Sequence, residues 1–218
     1  MPNFDYVLFD LDGTLLNTLD DLADAGNWVC TQNGWPVHPT EAYKKMVGSG
    51  IPNLVRRFSP EHARTPEQLA ATLAQFGARY GAHKEDKTQP YPGIPELLEQ
   101  LAAAGVVFGI FSNKRDDLTR AVAEHYFPGR FAHVRGQREG CPVKPDPTGT
   151  RAILAEMGAD PARTLYVGDS DVDIYTAQNA GLTPCGVLWG FRSREELVGA
   201  GARHLAADPA ALARLILG

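Results

Sequence analysis

From Tyr91-Pro92-Gly93 to its C terminus the chain alternates helical stretches with short apolar runs, and this alternation restricts the fold more than any other feature. An amphipathic stretch over residues 94–104 feeds the run Val106-Val107-Phe108-Gly109-Ile110-Phe111, and strand-like segments recur at 131–135, 164–168 and 185–189. Helical patterns lie at 116–126, 147–157, 171–180 and 193–199, followed by a short run at 204–206 and a closing helix over 209–217. Strands separated by helices predict a parallel sheet, because a crossover helix both returns the chain to the same end and covers a face. Tyr6-Val7-Leu8-Phe9 is another run of this kind and reads as a buried parallel strand.

Residues 18–84 break the alternation. They read as helices separated by Gly34, Pro36, Pro39, Gly48, Gly50, Pro60 and Pro66, with no convincing strand. The first helix is expected to open with Thr18 and Asp21 at capping-box spacing, to bury Leu19, Leu22, Ala23 and Val29, and to stop near Gly34. Further helices are expected near 40–47, 51–58 and 66–82. The organisation is therefore an α/β core of residues 1–17 and 85–218 with a helical insert of residues 18–84. A chain of 218 residues that is 44% hydrophobic buries such a core without staples.

The net charge of −5, with no concentrated run of Lys or Arg, argues against a nucleic-acid footprint and for a small solute as partner. Met1-Pro2-Asn3-Phe4-Asp5 lacks a basic region followed by an apolar stretch, and no apolar run approaches membrane-spanning length, so a cytoplasmic protein with no membrane partner is expected, as monomer or homodimer. Cys30, Cys141 and Cys185 are odd in number and far apart, which reads as free thiols.

The chemistry concentrates after the strands. Asp10 and Asp12, at i and i+2, end the first apolar run, and Gly13 permits an abrupt turn, so both acids emerge at the carboxyl end of the strand, where open α/β sheets bind ligands. Paired carboxylates perturb one another and predict a bound cation. Ser112-Asn113-Lys114, Val143-Lys144-Pro145-Asp146-Pro147 and Gly168-Asp169-Ser170-Asp171-Val172-Asp173 stand at further strand ends or before helices, and a parallel sheet carries all of them to one edge.

In this order, DLDGT, FSN, KPDP and GDSDVD, these stretches resemble the four motifs of the haloacid dehalogenase superfamily, in its phosphatase branch with a helical cap after the first strand. The resemblance runs over essentially the whole chain. It implies a Rossmann-like parallel sheet with helices on both faces, a small α-helical cap domain, and magnesium-dependent hydrolysis of a small phosphate ester through an aspartyl-phosphate. Asp10 matches the nucleophile and Asp12 the acid/base, whose backbone carbonyl also meets the metal. Asp10, Asp12 and Asp169 match the Mg2+ ligands, with Asp173 just behind them. Thr14, Ser112 and Asn113 match phosphate-binding positions, and Lys144 the ammonium that holds phosphate and keeps Asp10 ionised. Lys114, directly after Asn113, is a candidate for binding phosphate that gives way to an ordinary surface lysine, and Asp171 reads as a first-turn helix acid.

Within the insert, Met46-Val47-Gly48-Ser49-Gly50-Ile51 resembles the loop that phosphoglycolate phosphatases place over the active site, and Val187-Leu188-Trp189-Gly190-Phe191-Arg192 resembles the same subgroup. Gly48, Ser49 and Gly50 are thus expected to contact substrate, with Arg56 and Arg57 as candidates for a substrate carboxylate, and 2-phosphoglycolate is the best substrate guess. Trp189 and Phe191 read equally well as packing. Dehalogenation is disfavoured because Asp12 is present, and a Schiff-base role for Lys44 or Lys45 gives way to a wet helix face. A sugar-phosphate mutase resembling β-phosphoglucomutase, or a non-catalytic binding protein on the same fold, is the alternative.

Overall fold

A computed structural model describes residues 2–218. The chain forms two compact units, Met1–Leu16 with Pro90–Gly218 and Asn17–Gln89. In chain order the strands are β1 (Tyr6–Phe9), β2 (Leu16–Asn17), β3 (Gln89–Pro90), β4 (Val107–Arg115), β5 (His133–Gln137), β6 (Thr164–Gly168), β7 (Thr183–Val187) and β8 (His204–Ala206). The helices are α1 (Leu19–Gln32), α2 (Thr40–Met46), α3 (Ile51–Phe58), α4 (Pro66–His83), α5 (Ile94–Ala103), α6 (Asp116–Tyr126), α7 (Pro147–Met157), α8 (Asp171–Ala180), α9 (Arg194–Gly199) and α10 (Pro209–Leu217). The two-residue strands β2 and β3 pair with each other where the chain passes from one unit to the other.

In the α/β unit six strands form one sheet in the order β5-β4-β1-β6-β7-β8, and every pairing is parallel. Successive side chains of β1 point to opposite faces. Val7 and Phe9 join a core with Leu97, Leu98 and Leu101 of α5, Val122 of α6 and Leu212 and Ile216 of α10. Leu8 joins a second core with Ile153, Leu154 and Met157 of α7 and Ala177 of α8. Both faces are therefore covered by helices, which is why β1 reads as a continuous apolar run. Burying each such Val, Leu, Ile or Phe contributes roughly 1.5–3 kcal/mol.

The topology decides where the site lies. From β1 the chain builds outward through β4 and β5 on one side, then crosses to β6, β7 and β8 on the other, so the winding reverses at β1. Phe9 is level with Ile110 and with Val167, which puts the residues after all three at one edge.

Three strand limits differ from the sequence expectation. β4 runs through Ser112, Asn113 and Lys114 to Arg115, where the pattern suggested an end at Phe111; the polar residues stay extended because Arg115 still pairs with Gln137 beyond a register shift. β5 begins at His133, not 131, since Phe131 packs edge-on against Phe108 at 5.3 Å. β7 spans Thr183–Val187, two residues earlier than 185–189, and leaves Trp189–Phe191 free to turn toward Asp169.

The helical unit is organised by aromatic rings. Tyr43, Phe58, Phe76 and Tyr80, from α2, α3 and α4, follow one another at centroid separations of 6.5, 5.9 and 5.6 Å, and all are buried. Gly26 of α1 admits the Tyr43 ring, since a Cβ there would lie 2.7 Å from a ring carbon. The expected capping box at Thr18 and Asp21 does not form. The Thr18 side chain makes no cap bond, and the buried Asp21 carboxylate instead accepts from the Lys87 N–H (3.0 Å), the Thr88 N–H (2.8 Å) and the Thr88 hydroxyl (2.7 Å). Three long-range donors in a buried setting outcompete the local turn. Residues 85–88 accordingly belong to the helical unit.

Candidate active site

Asp10 directly follows β1, and its N–H donates to Val167 O (2.9 Å), which continues the sheet past Phe9. The chain then reverses at Gly13, whose φ of +86° and whose proximity to the Asp169 carboxylate both require glycine. Asp169 follows β6. Its Oδ1 accepts from the Thr14 hydroxyl (3.2 Å) and its Oδ2 from the Phe191 N–H (2.8 Å). Asp173, in the first turn of α8, accepts from the Ser170 N–H and hydroxyl on Oδ2 (3.1 and 2.6 Å) and from Lys144 Nζ on Oδ1 (2.7 Å).

Lys144 is the centre of this arrangement. Its Nζ lies 2.9 Å from Asp10 Oδ1 and donates to Phe111 O at 3.3 Å, while the rings of Phe111 and Tyr166 stand 5.9 and 5.7 Å away. Asn113 fixes the backbone that carries it: its side-chain oxygen accepts from the Lys144 N–H (2.7 Å) and its side-chain nitrogen donates to Lys144 O (3.2 Å). The Asn113 side chain is thus engaged with the Lys144 backbone. Ser112 Oγ itself accepts from the Lys114 N–H at 3.2 Å.

Carboxylates outnumber ammonium groups here, and the titration behaviour shows it. Burial, reinforced by the charges of Asp173 and Asp12 against the pull of Lys144, raises Asp10 to about 7. Burial and the charges of Asp173 and Asp10 hold Asp169 well above the usual carboxylate range, although the Phe191 N–H and Arg192 oppose them. Burial works against the Lys144 ammonium, but Asp10 and Asp173 outweigh it and raise its pKa well above the ordinary value.

The residues present fit a hard divalent cation. Asp10, Asp169 and Asp173 are all buried and offer oxygens within 4.8 Å of one another. Asp10 Oδ1, although close to the ammonium, finds no aligned hydrogen-bond donor among the described residues. Glycines clear the space: a Cβ at Gly190 would overlap the Asp169 side chain and approach Gly13 O at 2.5 Å, and one at Gly168 would overlap Asp173. Oxygen donors of this kind suit a magnesium-type ion that keeps several waters, and such an ion would relieve the excess negative charge.

A haloacid dehalogenase-like hydrolase profile matches residues 7–187. The chain is a haloacid dehalogenase-like hydrolase. It is 35% identical over 213 residues to a phosphoglycolate phosphatase of Rhodospirillum rubrum, covering 94% of this chain and 88% of that one. It is 30% identical over 204 residues to the N-acetylmuramic acid 6-phosphate phosphatase of Pseudomonas aeruginosa, covering 87% and 84%. The crystal structure of a provisionally named phosphoglycolate phosphatase from Lactobacillus delbrueckii superposes with a TM-score of 0.94 at 31% identity over the full length of both chains. The protein is a phosphatase of this family, similar to the phosphoglycolate phosphatases, and its fold is the family's α/β core.

The structure brings Asp10, Asp169, Asp173 and Lys144 together, as the motif order suggests, and sets Asp12 beside them with its carboxylate turned to Lys114. Thr14, matched by resemblance to a phosphate-binding position, spends its hydroxyl on Asp169. Gly48, Ser49 and Gly50 lie in the helical unit, where Gly48 and Gly50 have φ of +113° and +85°. Arg57 holds this loop by donating to Met46 O (2.6 Å) and Ser49 Oγ (3.3 Å), and Arg56 is exposed. Lys44 pairs with Glu41 at 2.8 Å on an accessible face, as expected. Sequence reasoning missed two contributors. The Phe191 N–H on Asp169, together with the Trp189 indole N–H on Thr14 O (3.0 Å), comes from a loop whose role is carried by backbone geometry. Lys114 is a buried partner of Asp12, and its position directly after Ser112-Asn113 was the available signal.

Proposed function

We propose that the protein hydrolyses 2-phosphoglycolate in two steps with Mg2+ as cofactor. Bound among Asp10, Asp169 and the substrate phosphate, with the Asp12 carbonyl as a further oxygen, the ion would supply charge neutralisation for the phosphoryl group. In the first step an Asp10 carboxylate oxygen attacks phosphorus, the phosphorus–oxygen bond to the leaving group breaks, and Asp12 gives that oxygen a proton. In the second, Asp12 takes a proton from water as the water oxygen attacks the acyl phosphate, which releases inorganic phosphate and restores Asp10. Lys144 and the Ser112 hydroxyl hold the non-bridging oxygens while charge develops.

The observation that carries this reading is the buried Asp10 carboxylate, whose Oδ1 lies 2.9 Å from the Lys144 ammonium and within reach of the Asp169 and Asp173 oxygens. An acid in that position has a lone pair to offer and a cation to receive the anion it attacks. The choice of 2-phosphoglycolate is supported by the relatives that carry that activity in their names.

The test is a comparison of catalytic efficiency, with magnesium present, across 2-phosphoglycolate, N-acetylmuramic acid 6-phosphate, hexose phosphates and pyrophosphate. The highest value is expected with 2-phosphoglycolate. A higher value with the sugar 6-phosphate, or conversion of glucose 1-phosphate to its isomer without phosphate release, would overturn the substrate assignment.

A further inference from the structure

Lys114 has no part in the steps above, yet its environment is unlike that of a surface lysine. Its side chain is 1% exposed, and Nζ lies 2.9 Å from Asp12 Oδ1. A lysine can usually reach water with its ammonium while its stem packs, so one that stays buried is held there by a partner strong enough to offset desolvation. Here the partner is the residue assigned as acid/base.

The backbone of Lys114 is held as firmly as its head. Its N–H donates to Ser112 Oγ (3.2 Å), and its carbonyl accepts from the hydroxyl of Thr119 (3.0 Å), which is fully buried in α6. From β5, Gly136 lies so close that a Cβ there would stand 2.5 Å from both Lys114 O and Thr119 Oγ1. The Gly136 N–H is in turn held by Asp116 Oδ1 at 2.8 Å. Three elements, β4, α6 and β5, thus fix the origin of a side chain whose far end meets Asp12.

Asp12 itself follows β1 in a turn and keeps a side chain 13% exposed, and its carboxylate is paired with the Lys114 ammonium. We propose that Lys114 is a positioning residue for Asp12: its ammonium holds the Asp12 carboxylate in the orientation from which it reaches the leaving-group oxygen and, later, the attacking water. The proposal rests on Asp12 being the acid/base. A displacement of roughly 1 Å in such a group costs on the order of 100-fold in rate.

The experiment measures formation of the phosphoenzyme by rapid quench with two esters, 2-phosphoglycolate, whose alkoxide needs a proton, and p-nitrophenyl phosphate, whose phenolate does not. Asp12→Ala alone should slow the first ester far more than the second; absence of that split overturns the Asp12 assignment and, with it, the positioning role of Lys114. Given the split, Lys114→Met should slow the alkyl ester by about 10- to 100-fold and the aryl ester by less than about threefold. In the Asp12→Ala background Lys114→Met should add nothing, and Lys114→Arg, which keeps the charge and tolerates the cavity better, should retain most of the activity on the alkyl ester. Equal slowing of both esters, or an undiminished loss in the Asp12→Ala background, would show the ammonium acting on the phosphoryl group directly and overturn the proposal. If Lys114→Met does not fold, Lys114→Arg decides the matter: a loss equal for both esters contradicts the positioning role.

Discussion

Replacing Gly190 with alanine perturbs Asp169, the proposed metal ligand, without substituting any residue of the four motifs. The added methyl would overlap the Asp169 side chain and stand 2.5 Å from Gly13 O, and neither neighbour is the mobile end of a long side chain. Relief therefore requires the loop or Asp169 to move, which breaks or lengthens the Phe191 N–H bond to Oδ2 (2.8 Å) and the Thr14 bond to Oδ1 (3.2 Å). Removing the partners that orient a ligand typically weakens metal binding by about 10- to 100-fold, or roughly 1.4–2.7 kcal/mol. The assay is the rise in Tm with added Mg2+, which needs no turnover. At a magnesium concentration of about 100 times the native Kd the native protein gains about 2.7 kcal/mol, whereas Gly190→Ala gains about 0.4–1.4 kcal/mol. At roughly 2–4 °C per kcal/mol for a chain of this size, the rise falls from about 5–11 °C to about 1–6 °C. An unchanged magnesium midpoint in Gly190→Ala would refute the claim that this loop sets the Asp169 geometry.

Asp10→Asn should abolish turnover and also change the pH dependence of stability in the metal-free protein. Asp10 titrates near 7 in the folded state against 3.8 unfolded, so its ionisation opposes folding increasingly from about pH 4 to about pH 7 and by a constant amount above. The variant should accordingly gain Tm over the native protein in EDTA at pH 8 and show a smaller difference at pH 4.5; equal differences at the two pH values would contradict the cited shift. Asp173→Ala removes one of the two carboxylates that pair with buried Lys144 and the group that bonds the Ser170 N–H and hydroxyl at the start of α8. A loss of about 3 kcal/mol is expected, read as a fall in Tm of roughly 6–12 °C; a fall below about 2 °C would show that Asp10 alone compensates the ammonium.

Much of the core was legible because apolar periodicity and strand spacing act locally. Val7, Leu8 and Phe9 are apolar on both faces, and this single fact predicts helices above and below β1. The acids were legible for a related reason, since each lies at a strand end and a parallel sheet brings strand ends together. What the sequence hid was long-range hydrogen bonding. Asp21 sits at capping-box spacing but bonds Lys87 and Thr88, about 66 positions away, and the local pattern carries no trace of those partners. Lys114 looked ordinary because lysine is common on surfaces; only the geometry of β4, extended four residues beyond its apolar run, turns it inward to Asp12. Phe191 acts through its N–H, a group every non-proline residue has, so its identity gave no signal. The helical insert was readable as helices, but its Gly48-Ser49-Gly50 loop is held by Arg57 through contacts no periodicity encodes.

The account stands on Asp10 as the atom that receives phosphorus. Asp12→Ala protein, slowed in the water step, should be mixed with p-nitrophenyl phosphate and Mg2+, quenched in acid during the first turnover, and digested for peptide mass analysis. A phosphoryl group on the peptide at Asp10, absent when Asp10→Asn is added, is the result expected. Phosphate found on Ser112, or a burst of nitrophenol with no modified peptide, would contradict it.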